Sequence, residues 1–537
     1  MAPRPLPPES PCRHRQDRCH AASAAWLQPA CHTVILLRHG RLVRIRERAL
    51  PDITGHRRNA AFPHHTQGIV LRASRHSSLY RRPWHLMPAA DPRRHRPPRP
   101  PPHRNNVPTI IQPMTKNPFI GLSWPEKTTF SALCASLVAI VAWWRIGIYA
   151  ITVLCAVSVF KMIYTRKIIN RSLSSAQKTC LLSMIAYWIL YALSAMVSTN
   201  HSEGWNDATI KLYFLVLPLI CLLGDTSYLT PHRIKALFQI FVAALILRFI
   251  TSIAFCGIQL LQGVPFVVAK DLQNSPIGIH HNYLALYIVI AIAFLYSCLF
   301  NISNGEKKRH WILLTGIITV LTVYLFINSS RSGIVSLGVL FVACMLHITF
   351  SLKKYKIAIG VFLFAAILSS LLFLSMPYIF NRFTALYGSG TSDPRSLIWQ
   401  CGMKASNDHI MFGHGSGDYK SHLMSTYEEM GFTKGIIAGF NAHNQFIETL
   451  LATGVIGLTI LLTMFFLPLV AALRNKPHNL FVILSIIVIV SQIFFESMLI
   501  RQMGVQFIAL ILCVLIISLS HHEQNLSESP LGKMTGH

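Results

Sequence analysis

Residues 441–458 read NAHNQFIETLLATGVIGL, and they follow the only long polar loop in a chain otherwise built of apolar spans. An imidazole, His443, stands where that polar loop turns into an apolar helix. The same pattern recurs upstream: SSRSGIVSLG at 329–338 puts a lone Arg331 at the mouth of another apolar span. A titratable base and a fixed cation at one membrane face point to chemistry on a lipid-linked anionic substrate.

Working outward, apolar runs dominate residues 114–537. A bilayer core of about 30 Å calls for roughly 20 apolar residues per helix. On that measure we read about twelve spans, near 128–145, 147–164, 180–198, 208–224, 234–255, 281–300, 311–328, 332–350, 356–375, 453–473, 479–498 and 503–519. The expected fold is an all-α polytopic membrane protein. Spans one to nine occupy 114–375, a large helical outer loop 376–452, spans ten to twelve 453–519, and a tail 520–537.

Residues 1–113 have a different character. They are rich in Arg, His and Pro (RRHRPPRPPP at 93–102) and contain no Lys. Too few apolar residues and no sustained periodicity leave them unable to close a core. The expectation is a disordered or spurious extension, with Met114 as the working start; an Arg-rich targeting or nucleic-acid-binding arm is the rival. Much of the net charge of +29 comes from this segment, so the charge is no sign of a nucleic-acid partner. Cys134, Cys155, Cys180, Cys221, Cys298, Cys344 and Cys513 fall singly within apolar spans, Cys401 lies in the long loop, and neither a zinc site nor a disulfide framework is indicated.

Orientation follows from Lys and Arg. One set of loops holds Lys161, Arg166, Lys167, Arg171 and Lys178, then Arg233 and Lys235, then Lys307, Lys308 and Arg309, then Lys353, Lys354 and Lys356, then Arg474 and Lys476. The opposite short loops hold only Arg145, Lys270, Arg331 and Arg501. The basic side is read as cytoplasmic, so the long loop faces outward. A charge inside a span costs about 2.5–3.5 kcal/mol on insertion scales. Lys211 and Arg248 lie inside spans towards the outer end and are therefore noted as low-grade substrate contacts, with snorkelling to the interface as the plain alternative.

Within the loop, Leu397, Ile398, Cys401 and Ala405 share one helical face, and a polar helix is expected over 420–430. GHGSGDY (413–419) is a glycine turn whose backbone amides could approach a ligand. Asn441 is expected to cap the helix containing His443. A neutral imidazole near a helix N-terminus can act as a base. Glu448 follows about a turn later and could orient a hydroxyl, or be an ordinary paired residue. Arg331 and Arg395 would form two forked donors suited to diphosphate oxygens. No Asp-x-Asp pair appears in the outward loops, so no metal and no cofactor is expected.

These residues resemble the bacterial O-antigen ligases and their relatives in the O-antigen ligase/polymerase group. The resemblance rests on SSRSGIVSL, PRSLIW and HNQFIETLLATGVIGL, in that order, and covers 114–537. It implies about twelve membrane helices of the glycosyltransferase C type, with a large periplasmic loop between the ninth and tenth. It further implies transfer of O-antigen from undecaprenyl diphosphate to lipid A–core at the periplasmic face of the inner membrane, without nucleotide or metal. In that scheme His443 is the general base, and Arg331 and Arg395 hold the diphosphate. An O-antigen polymerase and a protein O-oligosaccharyltransferase share the layout. A transporter or flippase is the reading from a different class; it predicts charged residues near the bilayer midplane and internal repeats, and Glu496, near the end of the eleventh span, is the residue to check against it.

Overall fold

The computed structural model describes residues 117–167, 170, 172–263, 278–300, 307–375, 394–474 and 479–519. Segments 1–113 and 520–537, the first part of the outer loop (376–393) and Lys270 lie outside them. Among the described residues the chain is all-helical. The helices are α1 (Trp124–Ala142), α2 (Trp144–Thr165), α3 (Ser175–Val197), α4 (His201–Ile210), α5 (Tyr213–Leu223) and α6 (Pro231–Leu261). They continue with α7 (His281–Phe300), α8 (Lys307–Ile327), α9 (Arg331–Leu346, extended by a π turn His347–Ser351) and α10 (Tyr355–Ser375). The outer loop supplies α11 (Pro394–Ser406), α12 (Tyr419–Glu429) and α13 (Thr433–Ala438), and the chain ends with α14 (Gln445–Arg474), α15 (Leu480–Phe495) and α16 (Gln502–Ser518).

Seven of these helices are long and apolar enough to cross a membrane, and the bent pair α4–α5 would make an eighth. Shorter apolar helices fill the positions of α10, α15 and α16. The polytopic all-α class read from the sequence is therefore the observed one. The span expected at 208–224 is not straight: α4 and α5 meet at 42°.

The bundle is organised around α7, which is apolar on every side and whose spanning window is 89% buried. A helix with no polar face has to lie inside a bundle. Its Tyr287 packs on Phe507 of α16, with ring centroids 4.1 Å apart, and Phe294 stacks on Phe238 of α6. The α1–α2 hairpin turns at Trp143, whose backbone is extended.

One end of the bundle is basic and is tied together by side chains reaching backbone carbonyls. Lys161 donates to the Asp225 carbonyl at 2.5 Å, and the Arg233 guanidinium to the carbonyls of Pro118, Ile120 and Tyr228. Gln177 at the start of α3 donates to the Ile516 carbonyl at the end of α16. The first turns of α7, α9 and α14 and the last turn of α15 lie at the opposite end, joined to one another as set out below.

The tenth span carries the main irregularity. Gly454 interrupts α14 with φ 66° and ψ −164°, a region that is essentially glycine-only. The apolar span thus begins where the sequence places it, and residues 445–453 form a separate helical segment leading to it. The break frees backbone groups that must find partners in a region without water. The loop supplies them. His414 and Gly415 amides donate to the Leu451 and Ala452 carbonyls at 2.8 and 3.1 Å, and the Val455 amide donates to the Ile410 carbonyl at 2.8 Å. Ser416 and Gly417 amides donate to the hydroxyls of Ser194 and Ser198 at the end of α3. This corrects the sequence reading of GHGSGDY. Its amides are used up in wedging the loop between α3 and the broken helix, and they do not wait for a ligand.

Asp418 closes the wedge by accepting from the Thr199 and Asn200 amides and the Thr199 hydroxyl at 2.6–2.9 Å. Partial burial raises its carboxyl, but these hydrogen bonds outweigh that and hold it below the usual carboxylate range. The amphipathic reading of the loop holds: Ile398, Cys401 and Ala405 of α11 are buried, with Leu397 partly so.

Candidate active site

His443 does not lie within a helix. It precedes α14 in a left-handed conformation, φ 44°, which costs a non-glycine residue roughly 1–2 kcal/mol. Two bonds hold it there: its amide donates to Asn441 Oδ1 at 3.0 Å, and the neighbouring Ala442 amide donates to Glu448 Oε2 at 3.0 Å. The helix cap is Asn444, whose Oδ1 accepts from the amides of Phe446 and Ile447. The expectation of Asn441 as cap is corrected accordingly. A helix begun at 441 would have turned the imidazole with the helix; the left-handed step turns it out of that path.

The imidazole meets a carboxylate. His443 Nδ1 lies 2.9 Å from Glu496 Oε1. A carboxylate off the acidic range only accepts, so Nδ1 carries the hydrogen and the neutral ring presents Nε2 as a lone pair. Glu496 lies just past the end of α15, in extended backbone. Its other oxygen accepts from Asn282 Nδ2 at 2.6 Å and stands 3.8 Å from Arg395 Nη2. Burial raises its carboxyl, but the His443 hydrogen bond and the positive fields of Arg395 and His280 prevail and hold it below the ordinary value. The side chain of Glu496 is 10% exposed, those of His443 and Arg395 27% and 23%. The buried anion therefore lies behind two accessible groups.

Arg331 joins the same cluster through its neighbours. The hydroxyls of Ser330 and Ser332 both donate to Asn282 Oδ1, at 2.7 and 3.3 Å. Ser330 also caps α9, accepting from the Gly333 amide. Ser329 just before it is left-handed, φ 54°. Gln492 of α15 ties the far side, donating to the Asn282 carbonyl and to Ser332. His443 by a hydrogen bond, Arg395 by an ion pair and the Arg331 turn through Asn282 thus all connect to Glu496, although they are distant in sequence.

Glu448 is fully buried one turn into α14, where it bonds the Ala442 amide and the Ser497 hydroxyl at 3.0 Å each. Those residues adjoin His443 and Glu496, so Glu448 braces the two chains that carry them. Lys211 lies elsewhere: it is buried at the α4–α5 bend, 2.5 Å from Asp207 Oδ1 and over the Tyr191 ring. Arg248 is buried as well, and its Nη1 donates to the Val141 and Ala142 carbonyls at the end of α1. Neither residue snorkels, and both have partners in the protein that account for their charge. Asn282 and Gln492 escaped sequence reasoning. Glu496 was visible as the one acidic residue between Glu448 and Glu523, but its pairing was not.

Fold and cluster together define a polytopic membrane protein with a polar centre built where helix ends meet at one face of the bundle. Residues 315–462 match the family model described as O-Antigen ligase, the group that the sequence motifs resemble. That match supports a part in polysaccharide assembly. An uncharacterized protein of Haemophilus influenzae is 23% identical over 391 residues, 68% of this chain and 92% of that protein. The exopolysaccharide production protein ExoQ of Rhizobium meliloti is 28% identical over 189 residues, 34% of this chain and 42% of that protein. The matched segment holds Arg331, Arg395, His443 and Glu448; Asn282 and Glu496 lie outside it.

Proposed function

We propose that the protein is a glycosyltransferase that moves O-antigen from undecaprenyl diphosphate to a sugar hydroxyl of lipid A–core, at the periplasmic face of the inner membrane. The observation that carries this reading is the convergence of an oriented imidazole and two arginine-bearing helix starts on one carboxylate. Among the described residues Lys161 and Arg233 lie at the opposite, basic end of the bundle, and by the positive-inside rule this supports an outward-facing cluster.

His443 Nε2 takes the proton of the acceptor hydroxyl as its oxygen bonds to the anomeric carbon. The bond from that carbon to the diphosphate oxygen breaks, and its electron pair leaves with the diphosphate. Arg331 and Arg395 offset the charge that collects there. Both substrates are amphiphiles, so they reach the rim sideways through the bilayer. A polymerase would use the same donor chemistry with a second lipid-linked glycan as acceptor, and the likeness to a protein named for exopolysaccharide production keeps that reading as the alternative.

The test is purified protein in detergent with lipid-linked glycan and lipid A–core, without nucleotide. Transfer that disappears in His443→Ala, with the variant still membrane-inserted, supports the reading; wild-type transfer in that variant removes the base. Deletion strains separate the two acceptors. Ligase loss leaves bare core with lipid-linked polymer accumulating, whereas polymerase loss leaves core bearing one repeat unit.

A further inference from the structure

We infer that Glu496 is a positioning residue for the transfer: it fixes His443 in the tautomer with Nε2 free and locks the base in register with the arginine-bearing starts of α9 and α11. This rests on the reading that His443 takes the acceptor proton.

The direction of every hydrogen bond in the cluster supports the assignment. Glu496 can only accept, so Asn282 must present its Nδ2 to it, at 2.6 Å. That fixes the amide and leaves Oδ1 to accept from Ser330 and Ser332. The same reasoning places the hydrogen of His443 on Nδ1, 2.9 Å from Oε1. His443 and Asn282 thus both donate to the one carboxylate, the two serines donate to Asn282 behind it, and none of these four bonds can be reversed while the carboxylate stays ionised. The cluster has a single set of orientations, and in that set the imidazole faces substrate with its lone pair.

Stability alone does not explain the residue. A buried carboxylate carries a desolvation cost that apolar or neutral residues of similar volume would avoid. Its neighbours are arranged around the charge: His443 donates to one oxygen at 2.9 Å, and Asn282 at 2.6 Å and Arg395 at 3.8 Å lie against the other. Glu448 then braces both sides, through Ala442 beside His443 and Ser497 beside Glu496. When His443 accepts a proton the carboxylate already stands against the ring and stabilises the cation formed, the role a buried aspartate plays behind a catalytic histidine in the serine-protease triad.

The experiment compares Glu496→Gln, Glu496→Asp and His443→Ala in the purified full chain, measuring kcat, KM for the lipid-linked donor and the pH–rate profile. A glutamine amide can donate to Nδ1 and so favours the opposite tautomer. We expect Glu496→Gln to lower kcat by up to about 10,000-fold, the loss seen when the triad aspartate becomes asparagine. KM should stay within a few-fold, and the acid limb of the profile should move. Glu496→Asp should recover part of the rate and keep the wild-type profile shape. If Glu496→Gln does not fold, Glu496→Asp decides alone: a loss of stability with wild-type kcat and profile overturns the inference. So does Glu496→Gln with kcat near wild type. His443→Ala with full activity instead removes the underlying reading, so the two failures are told apart.

Discussion

Gly454→Ala should damage the protein twice over, through the backbone conformation it disfavours and through the contacts of the methyl group it adds. The backbone there, φ 66° and ψ −164°, costs a residue with a side chain about 1–3 kcal/mol. The added Cβ would also stand 2.3 Å from the Met411 oxygen, 2.4 Å from its carbonyl carbon and 2.5 Å from the Phe412 nitrogen. These are backbone atoms, so no rotamer change relieves the clash; residues 410–412 must move away from α14. That movement breaks the Val455–Ile410 hydrogen bond and strains the His414–Leu451 and Gly415–Ala452 pairs. At about 1 kcal/mol each, the three bonds add about 3 kcal/mol. The total is about 4–6 kcal/mol, provided that the break is kept.

The variant could instead straighten the helix through the substituted position. Residues 445–453 would then rotate, carrying Gln445 and Glu448 away from the Leu499 amide and the Ser497 hydroxyl they bond at 2.7 and 3.0 Å. Stability would be partly kept and transfer lost. Thermal unfolding in detergent, limited proteolysis of the outer loop and transfer activity read both routes. Gly338→Ala is the control, because nothing lies within 4 Å of its added methyl; it should be neutral or stabilising by up to about 1 kcal/mol. Wild-type melting and wild-type transfer in Gly454→Ala would refute the reasoning about the break.

Arg331→Lys and Arg395→Lys should each slow transfer at least tenfold, because an ammonium lacks the planar fork that grips two phosphate oxygens; steady-state kinetics with the lipid-linked donor would show it. Lys211→Met should destabilise by about 3–5 kcal/mol by stranding Asp207, whereas Lys211→Met with Asp207→Leu should regain most of that; thermal melts of the single and double variants decide whether the pair is structural. The Asp418 clip should be acid-sensitive. Its folded carboxyl titrates below the ordinary value, so its contribution is complete above the unfolded carboxylate range and is lost as pH falls through the folded value. Protease nicking of 413–418 should rise on acidification in wild type and be high at all pH in Asp418→Asn.

Span positions were legible because length and apolarity are local properties of the chain. The break at Gly454 was not. ATGVIGL reads as one apolar run, and only the loop that supplies partners to Leu451, Ala452 and Val455 makes the interruption stable. The Lys211–Asp207 pair was visible at a spacing of four residues, although a charged residue near a span end reads equally as snorkelling. Arg248 was beyond reach, since its acceptors on α1 lie more than a hundred residues away. His443, Arg331 and Arg395 could be picked out from their polar-to-apolar boundaries. What joins them could not, because Asn282 and Glu496 bond across 214 positions and neither carries a local pattern that predicts the other.

The electrostatics of the cluster explain why it forms at helix starts. Asn282 lies in the first turn of α7, Ser330 caps α9, Arg395 is the second residue of α11, and His443 stands two residues ahead of α14. A helix N-terminus carries roughly half a positive charge, which the neutral caps Ser330 and Asn444 do not cancel. Four such ends and two guanidiniums brought together would repel one another, and the low-dielectric rim of a membrane would sharpen the repulsion. A single buried carboxylate at their meeting point relieves part of this without cancelling it. Glu496 offsets only part of that charge, so the helix starts can still favour a diphosphate, while the anion itself is buried against the imidazole. Replacing Glu496 by glutamine therefore does two things at once: it removes the partner of His443 and increases the positive charge. If charge repulsion alone mattered, adding diphosphate would restore the melting temperature of Glu496→Gln to that of wild type. If orientation also matters, diphosphate will restore stability and leave transfer slow.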